Sequence, residues 1–231
     1  LFLLGVERGW PLVILAVIAG AASGTRAPGL ALAPVVLLEA VRRSPHWGPG
    51  IVKAAFIAPL ACWGLIGFMT YQWYAFHDPL AFAKIQHNWR HVGDLGKLTL
   101  EPLWGTYDDA SPRWWGHTTY HEFPAFSLRF ADPIFWSATF ALLLVGWLRG
   151  SVNRNEMLLS AGLLLIPYLT KGHENSMTSF GRFAAMAAPV YPVLGLLLAR
   201  MSPLTIAAAA LVSGFWLIVY SMLFAAGWPA L

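Results

Sequence analysis

Charge is what this sequence has least of. Only 11% of its 231 residues are Asp, Glu, Lys or Arg, against roughly 25% in an ordinary water-soluble domain. A hydrated surface cannot be built from so few charges, which excludes a soluble globular chain. Cysteine is almost missing as well. The single thiol, Cys62, lies inside an apolar run; no intrachain disulfide can form, and the residue reads as a small buried apolar side chain. There is no Gly-rich phosphate loop, no Gly-x-Ser-x-Gly elbow and no paired-cysteine motif, which argues against soluble nucleotide chemistry. The net charge is +4 and the pI near 9.4. The basic residues are scattered among apolar blocks, so anionic lipid explains them better than nucleic acid does.

What is abundant is apolar sequence: 58% of residues are hydrophobic and the mean hydropathy is +0.59. At about 20 residues per crossing, the apolar blocks suffice for roughly five to seven membrane spans. We read these blocks at 11–24, 30–41, 51–76, 133–148, 157–170, 183–199 and 204–227. The chain is expected to be an all-α polytopic integral membrane protein, with 1–231 forming one transmembrane domain. It opens within an apolar stretch, Leu1 to Val6, with no basic segment ahead of it. That start reads as the tail of a helix cut from a longer protein, not as a signal peptide.

Short-loop charges set the expected orientation. Arg42, Arg43 and Lys53 bracket one loop, Arg149 and Arg154 a second, and Arg200 a third; placing all three inside lets the intervening helices alternate. Segment 77–132 then lies outside as a partly helical interfacial segment, together with 171–182 and the break at Arg26. Its tryptophans, Trp89, Trp104, Trp114 and Trp115, suit the headgroup layer. Within it, 79–89 alternates apolar and polar residues in the manner of a helix lying along the interface.

Several residues in these outer regions carry possible chemistry. Arg26 sits between two short apolar runs, in Ser23-Gly24-Thr25-Arg26-Ala27-Pro28-Gly29. An unpaired guanidinium near the bilayer centre costs about 2.5 kcal/mol or more, so an anion is expected to meet it. Arg binds phosphate oxygens bidentately, and Gly24 and Gly29 are expected to let backbone approach the ligand; the plain alternative is snorkelling to headgroups. Arg182 is expected to open the helix over 183–199, where free N–H groups and a cation favour an anion. Its alternative is a headgroup anchor. His173 and Glu174, in the loop before it, suit a donor and a base near a sugar, or simply solvate that loop. Asp78 precedes Pro79 and most simply caps the following interfacial helix. His117 and His121, four apart beside Glu122, make a weak metal pair, because Thr118 and Thr119 between them disfavour a helix. Asp108-Asp109 reads as a solvated turn. No cofactor is required by these patterns, and a divalent metal is not supported.

Three segments taken in order carry a family resemblance: Ser23 to Gly29; Asp78-Pro79-Leu80-Ala81-Phe82 with Gln86 and Trp89-Arg90; and Arg182-Phe183 leading into Pro189-Val190-Tyr191. The chain resembles bacterial relatives of the second GPI-anchor mannosyltransferase, the PIG-V-like family of GT-C glycosyltransferases, over Leu1 to about Ala199. The match corresponds to the C-terminal two thirds of such a protein, so the N-terminal helices and first outer loop are missing from it.

The resemblance implies a GT-C-like transmembrane bundle in the cell membrane. It would transfer a mannosyl or other hexosyl group from a polyprenyl-phosphate donor to a glycolipid or glycan acceptor on the extracytoplasmic face. It implies substrate contacts for Arg26, Asp78, Gln86, Trp89, Arg90, His173, Glu174 and Arg182. The acidic base of such enzymes lies in the first outer loop, so no catalytic residue is assigned. Ala27-Pro28-Gly29 stands where eukaryotic relatives more often have Ser-Asn-Gly, so the identity of the acceptor is left unassigned. The rival classes are a transporter or flippase of polyprenyl-linked substrate and a non-catalytic membrane assembly subunit.

Overall fold

The computed structural model describes residues 1–88, 128–171 and 180–225. Every regular element among them is helical. Two helices are long and apolar enough to cross a membrane, and up to four spans arise if each of two bent pairs is one crossing. The chain divides into two compact units, 1–97 with 153–174, and 98–152 with 175–231.

The first unit is built around a helical hairpin. A short α1 (Phe2–Glu7) turns through Gly9, at φ 68°, into α2 (Leu12–Thr25). The positive φ suits glycine, which has no Cβ to clash there. Buried Leu12, Leu15, Ala16, Ala19 and Ser23 recur at helical spacing along α2, giving one packed face. At Arg26 the backbone turns extended, then a 3₁₀ turn (Ala27–Ala31) feeds α3 (Leu32–Arg42), which runs back. Pro28 in the first turn of that segment has no N–H to lose, so the reversal there has one fewer donor to satisfy.

Around this hairpin lie α4 (Trp47–Ala61), α5 (Trp63–Phe76) and α8 (Arg154–Lys171). The sequence suggests one long span over 51–76. The structure instead bends it by 52° at Cys62. Pro59 lacks the N–H that an unbroken helix needs, and the Cys62 N–H is shared between the carbonyls of Ala58 and Pro59. The helix restarts directly beyond. Here the break is mended from outside: Ser23 Oγ on α2 accepts the Leu65 N–H at 3.2 Å while donating to the Gly20 carbonyl at 2.7 Å. A hydroxyl on a neighbouring helix thus does the work of an N-cap.

α2 and α5 meet through glycines. A Cβ on Gly24 would lie 2.9 Å from Gly64 Cα, and one on Gly64 would strike the Gly20 carbonyl and the Gly24 backbone. The spacing Gly20-x-x-x-Gly24 is the small-residue pattern that lets helices approach closely. α8 runs beside α3 in the opposite sense: Asn155 meets Glu39 at one end, and Gly162 packs on Ala31 further along.

In the second unit, α7 (Leu128–Leu148) buries Asp132, Trp136, Thr139 and Leu143 along one stripe. Segment 128–132, expected in the outer region, is therefore the first turn of this helix. Against α7 pack α9 (Phe180–Met186) and α10 (Val190–Leu198), joined by a 79° bend. The sequence reading places a single helix over 183–199. Pro189 splits it, because the residue before a proline is pushed out of the α region. The Tyr191 hydroxyl spans the bend to the Ala185 carbonyl at 2.8 Å. Finally α11 (Pro203–Ala225) carries the most hydropathic span, with no part of that span buried within the chain.

Candidate functional site

Arg26 is held at the tip of the α2–α3 hairpin. Its side chain is exposed and has no hydrogen-bond or ion-pair partner among the described residues. The Thr25 hydroxyl turns away to the Ala22 carbonyl at 2.7 Å, and the Gly29 N–H closes on the Arg26 carbonyl at 2.9 Å. The guanidinium is thus presented while its backbone is locked. The two glycines expected to admit a ligand have other duties. Gly24 is filled by the α5 crossing, and a Cβ on Gly29 would strike the Ala22 carbonyl. Both shape the hairpin rather than open it.

Two helices meet the hairpin near this tip. Gly24 faces Gly64, and α5 runs on from Gly64 to Phe76, about 18 Å at 1.5 Å per residue. Ala31 faces Gly162, and α8 continues from there to Lys171, about 13 Å. Both helices thus continue beyond their contacts with the hairpin.

The other end of the hairpin is closed by a polar knot. Glu39 is only 6% exposed; Arg42 Nη1 and Arg43 Nε each lie 3.0 Å from its carboxylate, and Asn155 Nδ2 donates to Oε1 at 2.8 Å. Arg43 Nη1 also donates to the Trp10 carbonyl at 2.6 Å. The knot joins the α1–α2 turn, α3 and α8. It thus ties the start of loop 42–53 to the first turn of α8. Sequence reasoning passed over Glu39, although a carboxylate followed by Arg at i+3 and i+4 on an apolar helix is a readable pairing signal.

Asp78 sits just past α5, where His77 takes a left-handed φ of 55°. Its Oδ1 accepts the Leu80 N–H at 3.0 Å and its Oδ2 pairs with Lys84 Nζ at 2.6 Å, which matches the capping role. The Lys84 side-chain hydrogen bond, helped by the Leu80 N–H, holds the Asp78 carboxyl below the usual aspartate range. α6 (Ala81–Asn88) follows, as the amphipathic pattern predicts, and Phe82 packs on Phe68 of α5 at 5.4 Å between ring centres. Gln86 lies on this helix.

Arg182 belongs to the second unit and is exposed. It does not open its helix: α9 begins at Phe180, and the N–H of Gly181 is already taken by Asp132 Oδ1 at 2.8 Å. The positive end of that turn therefore faces an internal carboxylate, not a free anion site. Any ligand contact falls to the Arg182 side chain. Asp132, 4% exposed, escaped notice because it stood at the presumed edge of a solvated segment.

Trp89, Arg90, His173, Glu174, Asp108, Asp109, His117 and His121 lie outside the described residues. Among the described residues no group of three His, Cys, Asp or Glu side chains is arranged to hold a metal. No family model, no curated protein and no solved structure matches the chain.

Proposed function

We propose that this chain is the membrane-embedded part of a polytopic glycosyltransferase in the cell membrane. It moves a mannosyl or other hexosyl group from a polyprenyl-phosphate donor to a glycolipid or glycan acceptor at the extracytoplasmic side. One observation carries the reading: an exposed guanidinium, without a partner among the described residues, at the tip of a hairpin of two apolar helices. With the Glu39 knot at the inner surface, the 14 residues of α2 reach about 21 Å into a hydrocarbon layer about 30 Å thick. Arg26 then lies within the bilayer, where a cation demands an anion. A phosphate carried on an isoprenoid tail is an anion delivered to that depth.

In the transfer, the bond from the sugar C1 to the phosphate oxygen breaks and the acceptor hydroxyl oxygen bonds C1. The hydroxyl proton passes to a base, and polyprenyl phosphate departs with the bonding electrons. Cations on the departing phosphate lower the barrier by meeting charge as it develops. Arg26 and Arg182 take that role. Gln86, Trp89, Arg90, His173 and Glu174 are assigned to the sugar and acceptor by the family resemblance, and Asp78 supports α6 beside them.

The full-length protein, supplied with radiolabelled polyprenyl-phosphate mannose and membrane glycolipid, should label the glycolipid. Arg26→Ala and Arg182→Ala should each lower the transfer rate about 100-fold with unchanged membrane insertion. Undiminished turnover in Arg26→Ala removes that residue from phosphate binding. The two bent helix pairs favour a second reading, a carrier of polyprenyl-linked substrate, since interrupted helices also build transport sites. Movement of labelled lipid across vesicles without transfer would select it.

A further inference from the structure

α9 is only seven residues long, too short for a helix to hold its own shape in isolation. Its geometry is imposed from α7. Phe180 and Ala184 are 1% and 4% exposed, and their spacing puts them on one face of α9, the helix that packs on α7, with buried Ala187 just past its end. Arg182, two residues on from Phe180, points about 200° around the helix from that face. This is why it is exposed.

Packing of one large ring and two alanines fixes which face is inward. It fixes the rotation and height of the first turn less well, because alanines slide. A directed contact restricts that remaining freedom: Asp132 Oδ1 accepts the Gly181 N–H at 2.8 Å, one residue before Arg182. The fit is close: a Cβ on Gly181 would lie 2.6 Å from Oδ1 and 3.8 Å from the Phe135 ring. Glycine at 181 and a buried acceptor at 132 therefore form one device. The carboxylate also answers the positive end of the turn, so a substrate anion has nothing to gain from the N–H groups and must be met by the side chain.

We infer that Asp132 is a positioning residue for Arg182, setting the first turn of α9 so that the guanidinium reaches the donor phosphate. This rests on the reading of Arg182 as a phosphate ligand. Asp132 itself touches no reacting atom.

The test uses the full chain and a transfer assay with polyprenyl-phosphate mannose, together with amide hydrogen exchange over residues 182–186. Asp132→Ala and Gly181→Ala should each lower kcat and kcat/KM for the donor about tenfold, the scale of one lost hydrogen bond to a charged group, with donor KM changed less than about twofold, because Arg182 meets charge that develops as the phosphate departs. Asp132→Asn keeps an oxygen acceptor and should stay within about threefold of wild type. Adding Asp132→Ala to Arg182→Ala should cost nothing further, since residues that act through one another are non-additive. Losses that multiply instead would overturn the inference, as would an impaired Arg182→Ala beside unchanged Asp132→Ala and Gly181→Ala. If Arg182→Ala transfers as well as wild type, the phosphate-ligand reading fails. Exchange then decides the device alone: Asp132→Ala should speed it across 182–186, and unchanged rates would show that the carboxylate does not hold the turn.

Discussion

Asp78 illustrates how one side chain sets a corner. The chain leaves α5 through a left-handed His77 and must start α6 within a few residues. Asp78 uses one oxygen for the Leu80 N–H and the other for Lys84, so it fixes the first turn and ties it to the second. Because these bonds favour the carboxylate, its folded pKa is depressed, chiefly by the Lys84 hydrogen bond. A depressed value means that the contribution is complete above the ordinary aspartate range, about pH 4, and is lost as pH falls through the lower folded value. Amide exchange at 80–84 should therefore quicken only on strong acidification in the wild type. In Lys84→Ala the same quickening should begin at higher pH, and identical profiles for the two proteins would show that Lys84 does not support the corner. The role was legible from Asp78-Pro79 alone. Its partner was not, because a pairing six residues away depends on how α6 folds back on α5.

Among the elements, the α2–α5 crossing is the least forgiving. Glycines at 20, 24 and 64 bring the two backbones together, and that closeness is what lets Ser23 reach the Leu65 N–H. Gly64→Ala should cost about 2 kcal/mol by overpacking. Ser23→Ala should cost about 1 kcal/mol by leaving the restarted helix uncapped. Gly67 has open space where its Cβ would stand, so Gly67→Ala should be neutral or stabilising by up to about 1 kcal/mol. Thermal unfolding in detergent ranks the three, and a Gly67→Ala as damaging as Gly64→Ala would sink the close-crossing explanation. The helices themselves were readable from hydropathy, and α2, α3 and α8 fall where the apolar runs lie. The bends at Cys62 and Pro189 were not read, although Pro59 and Pro189 mark both. Hydropathy stays high through a bend, because a kink changes direction without changing composition.

At the scale of the whole molecule, the sequence suggested that three polar regions share one outer face, with Arg26 among them. The proposed reading modifies this for Arg26 by assigning it a depth. α2 and α3 have 14 and 11 residues, about 21 and 17 Å, and both fall short of a bilayer core of about 30 Å. On the proposed reading they form a hairpin that enters and returns, beside α4–α5, a bent pair long and apolar enough to cross if it is one span. That difference can be measured with single cysteines in a Cys62→Ala background. His46→Cys lies just past the knot, His77→Cys at the far end of α5, and Arg26→Cys at the hairpin tip, all at exposed positions. An impermeant maleimide should reach His46→Cys from one side of sealed vesicles and His77→Cys only from the other. Arg26→Cys should react from the His77 side at least about tenfold more slowly than His77→Cys, because burial away from water suppresses the reactive thiolate. Equal rates at 26 and 77 would put the tip in water and remove the reason for an anion there. Reaction of His46→Cys and His77→Cys from the same side would mean that α4–α5 does not cross. The slow, one-sided pattern at 26 would instead place the cation where only a ligand with a membrane-borne tail meets it.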